Sequence, residues 1–175
     1  MINLQPRLEN DLVLVRPLRV EDFEKLFQVA SDPAIWELHQ NPDRHELSVF
    51  KQFFKEAIAS KGAFVIVDKL TNTIIGSSRY RLAEHSEEAV EIGWTFLSRD
   101  YWGGRYNKSF KTLLIDYAFR YFDYVLFHVD QNNFRSQKAV QKLGGTLIDK
   151  NGPLRHLHTA TKTGLTFVLI KEGIA

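Results

Sequence analysis

The sequence predicts an α/β (α+β) protein built on a mixed β-sheet, and three observations carry that prediction. In "AVEIGWTFL", Val90, Ile92, Trp94 and Phe96 alternate with Glu91, Gly93 and Thr95, the period of a half-buried strand. In the stretch that follows, Tyr106, Phe110, Leu113/Leu114, Tyr117/Ala118 and Tyr121 recur at steps of three and four, the period of a helix. Further on, antiparallel candidates lead into a strand–helix–strand unit, and such a crossover makes the sheet mixed.

The elements follow in order. "LVLVRP" (12–17) is a short strand ended by Pro17. Val20, Phe23, Leu26/Phe27 and Ala30 then form a helical face, with Glu21, Asp22 and Glu24 at its dipole-favoured start. "SDPAIWELHQNPD" is a loop or broken helix. Leu47, Phe50, Phe53/Phe54 and Ala57/Ile58 give a second inward helical face, which Gly62 ends. "AFVIVDK" and "TIIGSSRYRL" flank a short turn at residues 70–72 and form a hairpin. The polar loop "AEHSEE" leads to "AVEIGWTFL", and a helix runs from about residue 105 to about 122. "YVLFHVD" is a strand, "NNFRSQKAVQKLG" a helix, and "GTLID" and "LTFVLIK" close the chain as strands. The order is β-α-α-β-β-β-α-β-α-β-β, expected as a single domain over residues 1–175.

Composition narrows the function classes. The 175 residues are 44% hydrophobic and 25% charged, the balance of a soluble globular protein. A net charge of only +2 gives no basic field for nucleic acid. Cys is absent, which removes disulfides, zinc–thiolate sites and thiol nucleophiles. His156 and His158 are two apart but have no third ligand nearby in sequence, so no metal is expected. "MINLQPRLENDL" carries no apolar signal core and no run reaches membrane-spanning length, so a cytoplasmic location is expected.

The stretch "RDYWGGRYNKSFKTLL" (99–114) is the chemically suggestive one. Gly103 and Gly104 permit positive φ and close backbone approach. A glycine turn feeding a helix N-terminus leaves free N–H groups at a positive dipole end, a setting for an anion such as phosphate. Arg99, Arg105, Lys108 and Lys111 add charge of the same sign. The alternative is a tight loop before a buried helix, its basic residues merely solvated.

The element order and two local patterns resemble the GNAT superfamily of acetyl-CoA-dependent N-acetyltransferases. One pattern is the family's Q/R-x-x-G-x-G/A turn, which aligns with Trp102, Gly103, Gly104, Arg105, Tyr106 and Asn107. Its W-G-x-x-Y flavour is closest to the ribosomal-protein N-terminal (RimJ/RimL-like) branch. The other is N-x-x-S-x-x-(V/L)-x-K-L-G, matched by Asn133, Ser136, Val140, Lys142, Leu143 and Gly144. Arg105 and Asn107 replace the motif glycines, and Gly145 replaces a common aromatic. Val140 stands where many relatives carry a tyrosine that reprotonates the leaving thiolate.

The resemblance implies a site. Backbone N–H groups of residues 102–107 would hold a pyrophosphate. The strand from Ile92 to Phe96 would splay from its neighbour at Val125 to Asp130, exposing backbone for a pantetheine arm. An N–H near Thr95 or Phe96 would polarise the thioester carbonyl, and Asn133 would bond the same arm, although Asn133 also suits a helix N-cap. Ser136 matches a serine proposed in this branch as proton donor, or is a plain helix-surface residue. Glu91 is the candidate base, desolvated or acting through water, or else an outward-facing strand residue. Trp36 and His39 lie where relatives build the acceptor pocket, although Trp36 also suits a core position. Glu88, with Glu84 and Glu87, could attract a cationic acceptor or form a solvated turn. The implied function is transfer of acetyl from acetyl-CoA to a primary amine, a protein N-terminus or small molecule, in a ternary complex. The alternative is an acyl-CoA-binding module without catalysis, acting as sensor or scaffold. Expected partners are acetyl-CoA and an amine acceptor, without nucleic acid or membrane, and a homodimer is open.

Overall fold

The computed structural model describes residues 2–158 and 164–173, where eight strands and four α-helices appear. The strands are β1 (Leu8–Glu9), β2 (Val13–Pro17), β3 (Ala63–Asp68), β4 (Thr73–Leu82), β5 (Ala89–Leu97), β6 (Tyr124–Asp130), β7 (Thr146–Leu147) and β8 (Gly164–Ile170). They form one sheet in the order β1-β2-β3-β4-β5-β6-β8-β7. Only β5 and β6 run parallel; every other neighbouring pair is antiparallel. The expected mixed α/β class is therefore the observed one.

Helices α1 (Phe23–Ala30) and α2 (Leu47–Ala59) cover one face, and α3 (Arg105–Ala118) and α4 (Phe134–Lys142) the other. On the α3 face, Val13, Val15, Phe64, Tyr80, Val90 and Ile92 pack against Phe110 and Leu114. On the opposite face, Leu26, Phe50, Phe53 and Phe54 pack against Val65, Val67 and Phe96. The α1–α2 side is dense in aromatic contacts: Phe23 meets Phe54 edge-on at 5.0 Å, and Trp36 lies 4.9 Å from Phe96. Such pairs add about 0.5–1.5 kcal/mol each beyond their burial.

Several expectations are corrected. β1 was not anticipated: two residues carry too little periodicity, and its place is set by pairing with β2. Helix α3 ends at Ala118 rather than near residue 122. Val20 lies in a 3₁₀ turn and is 65% exposed, so the first inward face begins at Phe23. The stretch from Ser31 to Asp43 contains a 3₁₀ turn at Pro33–Ile35 and leads into another at Pro42–His45. Gly62 does not cap α2; it lies flat against β4, where a Cβ would overlap the Tyr80 carbonyl oxygen. The last-but-one strand shrinks from "GTLID" to Thr146–Leu147, since Asp149 turns back to accept from Gly152 N–H at 3.0 Å.

The largest departure lies within β5. Sequence alternation puts Val90, Ile92, Trp94 and Phe96 on one face, but Val90 and Ile92 pack towards α3 while Trp94 and Phe96 pack towards α1 and α2. A β-bulge makes the switch: the β4–β5 register passes from Arg79↔Gly93 to Ser77↔Phe96, and Trp94 adopts φ +51°. That left-handed conformation is uncommon for a bulky side chain and bends the strand. Gly76 makes room for the bend, because a Cβ there would overlap the Phe96 carbonyl oxygen. Gly76→Ala is therefore expected to lower unfolding stability by about 1–3 kcal/mol, read as a fall in the urea midpoint; an unchanged midpoint would show that β4 and β5 can part without cost.

Candidate active site

The bulge opens a cleft. β5 and β6 pair only at Ala89↔Tyr124, Val90↔Val125 and Glu91↔Leu126. Beyond that, β5 stays with β4 and β6 with β8, so the two strands part in a V. Their facing edges carry backbone groups that no ladder partner satisfies, and such groups seek other hydrogen bonds. A cavity of about 390 Å³ fills the V. Trp94, Thr95 and Phe96 line one wall, Phe127, His128 and Val129 the other, and Asn133, Ser136 and Val140 of α4 close the side.

Trp102, Gly103 and Asn107 line the same cleft at the mouth of α3. Gly103 has φ +68°, and a Cβ there would meet nothing within 4 Å, so conformation rather than space calls for glycine. Gly104 is the N-cap and supplies no side-chain cap, which leaves the first N–H groups of α3 for another acceptor. Trp102 Nε1 donates to the Leu97 carbonyl at 2.9 Å, and Arg135 stacks 3.8 Å from its ring centroid. Arg105 is exposed, whereas Tyr106 turns aside to donate to Asp68 Oδ1 at 3.3 Å.

Glu91 is buried rather than outward-facing, at 5% exposure. Arg81 Nε and Nη2 both reach its Oε2, at 2.8 and 2.7 Å, and His128 Nε2 lies 3.9 Å from the same oxygen. Oε1 sits over Gly93, where a Cβ would come within 2.9 Å. Burial pushes the His128 imidazole below its ordinary proton affinity, against the pull of Glu91.

Lys111 is the residue that sequence reasoning misplaced. Grouped by sequence with the charges at the α3 mouth, it is 6% exposed and lines the V. Its Nζ donates to Thr95 Oγ1 at 2.7 Å and sits 5.1 Å from the Phe127 ring centroid, so it spans both walls. Desolvation pushes its pKa down to about 7, with only a partial counter-pull from Glu91. The available signal was helical spacing: Lys111 lies three before Leu114 and seven before Ala118, on the inward stripe. Arg99, by contrast, is not at the cleft and is paired with Asp32.

Towards α1 and α2 the cleft is cationic. Arg44 lines it, lying 4.6 Å from the Phe53 ring centroid and 5.5 Å from that of Trp36. Arg79 is buried between Phe53 and Trp94, and burial pushes its pKa down to about 10. His39 lines the cleft, and desolvation with nearby Arg44 and Arg135 pushes its pKa down to about 4. Trp36 is core, 1% exposed with Nε1 donating to the Ala30 carbonyl at 2.7 Å; it braces His39 from 5.2 Å. Glu88 is exposed outside the cleft, and its carbonyl accepts from Asp123 and Tyr124 N–H. The cleft thus gathers Glu91, Thr95, Phe96, Trp102, Gly103, Asn107, Asn133, Ser136 and His39, while Gly104, Arg105, Tyr106, Trp36 and Glu88 do not line it. Asn133 is the N-cap of α4, with Oδ1 accepting from Ser136 N–H at 3.1 Å while the residue also lines the cleft.

A splayed parallel pair beside an uncapped helix start defines a site for an extended ligand with an anionic end, and comparison with known proteins names the class. Residues 13–146 match the family model described as "Acetyltransferase (GNAT) domain", and the chain belongs to that family of acetyltransferases. No curated protein matches it significantly in sequence. Among solved structures it is similar to a GNAT-family acetyltransferase from Bacillus anthracis (TM-score 0.74, 15% identity, covering 94% of this chain and 98% of that one). It is also similar to a Vibrio cholerae protein named as a candidate ribosomal-protein-serine acetyltransferase (TM-score 0.75, 18% identity, 97% and 100% covered). A third is the microcin C7 self-immunity acetyltransferase, solved in complex with acetyl-CoA and AMP (TM-score 0.74, 15% identity, 97% and 99% covered). At these identities the likeness is one of fold.

The burial of Lys111 has a measurable cost. An unfolded lysine titrates near 10.5 and the folded one near 7, so between those values the unfolded chain binds more protons. Stability attributable to this group therefore rises as pH goes from about 7 to about 10.5, with a slope of up to about 1.4 kcal/mol per pH unit. Lys111→Met is expected to stabilise the fold at pH 7 and to flatten that rise, as measured by urea unfolding across the window. A variant that melts lower with the slope intact would assign Lys111 a purely structural bond to Thr95.

Proposed function

We propose that this protein is an acetyl-CoA-dependent N-acetyltransferase that brings the acetyl donor and a primary amine together in one ternary complex. The observation that carries this reading is the continuity of the V between β5 and β6 with the uncapped start of α3. The first N–H groups of α3, with exposed Arg105 beside them, fit a pyrophosphate. The unpaired edges of β5 and β6 fit the amide-bearing pantetheine arm, with Asn133 on the side wall. A backbone N–H at Thr95 or Phe96, in the bulge, would polarise the thioester carbonyl; such a donor aimed where charge develops is worth about 10²–10³ in rate.

The acceptor enters from the α1–α2 side, past His39, and its nitrogen meets Glu91. Arg81 occupies Oε2, so Oε1 faces the incoming nitrogen and takes up its proton, directly or through a water. A protein N-terminus is one such acceptor; the W-G-x-x-Y turn and the fold of the Vibrio cholerae neighbour support the RimJ/RimL-like branch.

Thermal unfolding with ligands tests the donor site. Acetyl-CoA at a hundredfold excess over its Kd is expected to add ~2.7 kcal/mol. S-acetylpantetheine, which lacks the pyrophosphate, is expected to add far less at the same concentration; equal shifts would remove the phosphate role of the α3 turn. Release of free CoA across a library of amines then separates a transferase from a module that only binds acyl-CoA.

Glu91→Gln tests the acceptor half. With an amine identified in that screen, kcat is expected to fall by ~10²–10⁴, the usual worth of a positioned acid or base. Acetyl-CoA affinity is expected to hold, and the deficit to shrink as pH rises past the pKa of the amine. Parallel pH–rate curves for the two proteins would instead give Glu91 a packing role with Arg81.

A further inference from the structure

We propose that Lys111 is the acid of the cleft, delivering its proton to the sulfur that leaves the acetyl group. The inference rests on the acetyl-CoA reading above and assigns a catalytic role that the sequence pattern places elsewhere. Val140, on α4, has no proton to give, and Ser136 on the same helix offers only a neutral, weakly acidic hydroxyl. Lys111 offers a positive charge at the floor of the V, held at the level of the bulge by Thr95 Oγ1 at 2.7 Å. With Phe127 at 5.1 Å across the gap, an arm laid between the strands passes over Nζ.

The surroundings of Nζ favour such a role. Among the described residues no carboxylate lies within ion-pair distance of it; the closest influence is Glu91, which Arg81 already engages. His128 lines the same cleft and is itself disfavoured as a cation by burial. One bond to Thr95 leaves the other two Nζ–H donors open. An ammonium so placed is costly to the fold and gains most when an anion forms beside it, which is what departure of a thiolate produces.

The step balances. The acceptor nitrogen forms the new C–N bond while the C–S bond breaks and its electron pair passes to sulfur. Lys111 Nζ gives its proton to that sulfur, yielding the CoA thiol. The acetylated nitrogen sheds one proton to Glu91, and that proton, passed on through water, returns the neutral Lys111 amine to its ammonium form. Lowered proton affinity suits Lys111 to both halves of this cycle at neutral pH.

Coenzyme A itself is the probe, and no acceptor is needed. A thiol of ordinary pKa ~8.5 is only a few per cent ionised at pH 7. Bound to the wild-type protein at pH 7, CoA is expected to stay a thiol, without the ultraviolet thiolate band, because Lys111 yields its proton to the sulfur, measured against the oxidised disulfide of CoA as blank. Lys111→Met, which offers the sulfur neither a charge nor a proton, is expected to bind CoA without the band. Lys111→Arg is expected to show the band, since a guanidinium attracts a thiolate without releasing a proton to it, and to lose turnover for the same reason. A thiolate as the major form in the wild type, or no band in Lys111→Arg at saturation, overturns the proposal. Calorimetry separates the two levels: CoA that does not bind at all refutes the acetyl-CoA reading, whereas CoA bound to Lys111→Arg without the band refutes the role of Lys111 alone.

Discussion

The bulge at Trp94 is the constraint on which the rest of the site depends. Holding a tryptophan at φ +51° costs conformational energy, and the neighbours supply the compensation. Phe96 and Trp94 turn into the aromatic layer under α1 and α2, while Thr95 turns to Ser78 and Lys111. Once β5 bends, it follows β4 and leaves β6, which stays straight because β8 pairs along its whole length from Tyr124 to Asp130. The cleft is thus the space between a strand that is bent and one that is not. A flat β5 would have zipped to β6 and closed it.

Two buried charges are set on either side of this space. Glu91 lies on the α1–α2 side, neutralised by Arg81, in the part of β5 that still pairs with β6. Lys111 comes from α3 on the other side, without a carboxylate partner among the described residues, at the point where pairing has ceased. Burial of an unpartnered ammonium works against stability, and the large aromatic and aliphatic clusters on both faces offset it. That distribution, a strong core around a costly centre, is what a preorganised catalytic site requires. On the α1–α2 side, Arg44 and Arg79 give that wall of the cleft a positive field beside a neutral His39, the opposite of what the acidic loop near Glu88 suggested.

Helices and strands were legible where periodicity was long. Leu47 to Ile58 and Tyr106 to Ala118 repeat at helical spacing, and the hairpin around residues 70–72 shows two apolar runs with a polar break. The glycine turn was legible for the same local reason, since positive φ at Gly103 is a property of one residue. β1 was not, because a two-residue strand exists only through its partner. Trp36 and His39, three apart in one broken segment, could not be sorted into core and cleft from the sequence alone. Their separation depends on Phe53 and Phe96, contributed by distant elements.

The sequence by itself determined the family, the order of the elements after β1 and the helix mouth, because short-range spacing and backbone preference write those directly into neighbouring residues. Only the tertiary structure decided which face each β5 side chain takes. Alternation continues unbroken from Val90 to Phe96, while the bulge between them reverses the face. Only the tertiary structure, too, put Lys111 under the gap and Arg81 against Glu91. Desolvation and charge pairing are set by atoms brought together from β4, β5, β6 and α3, and no spacing within one segment encodes that sum.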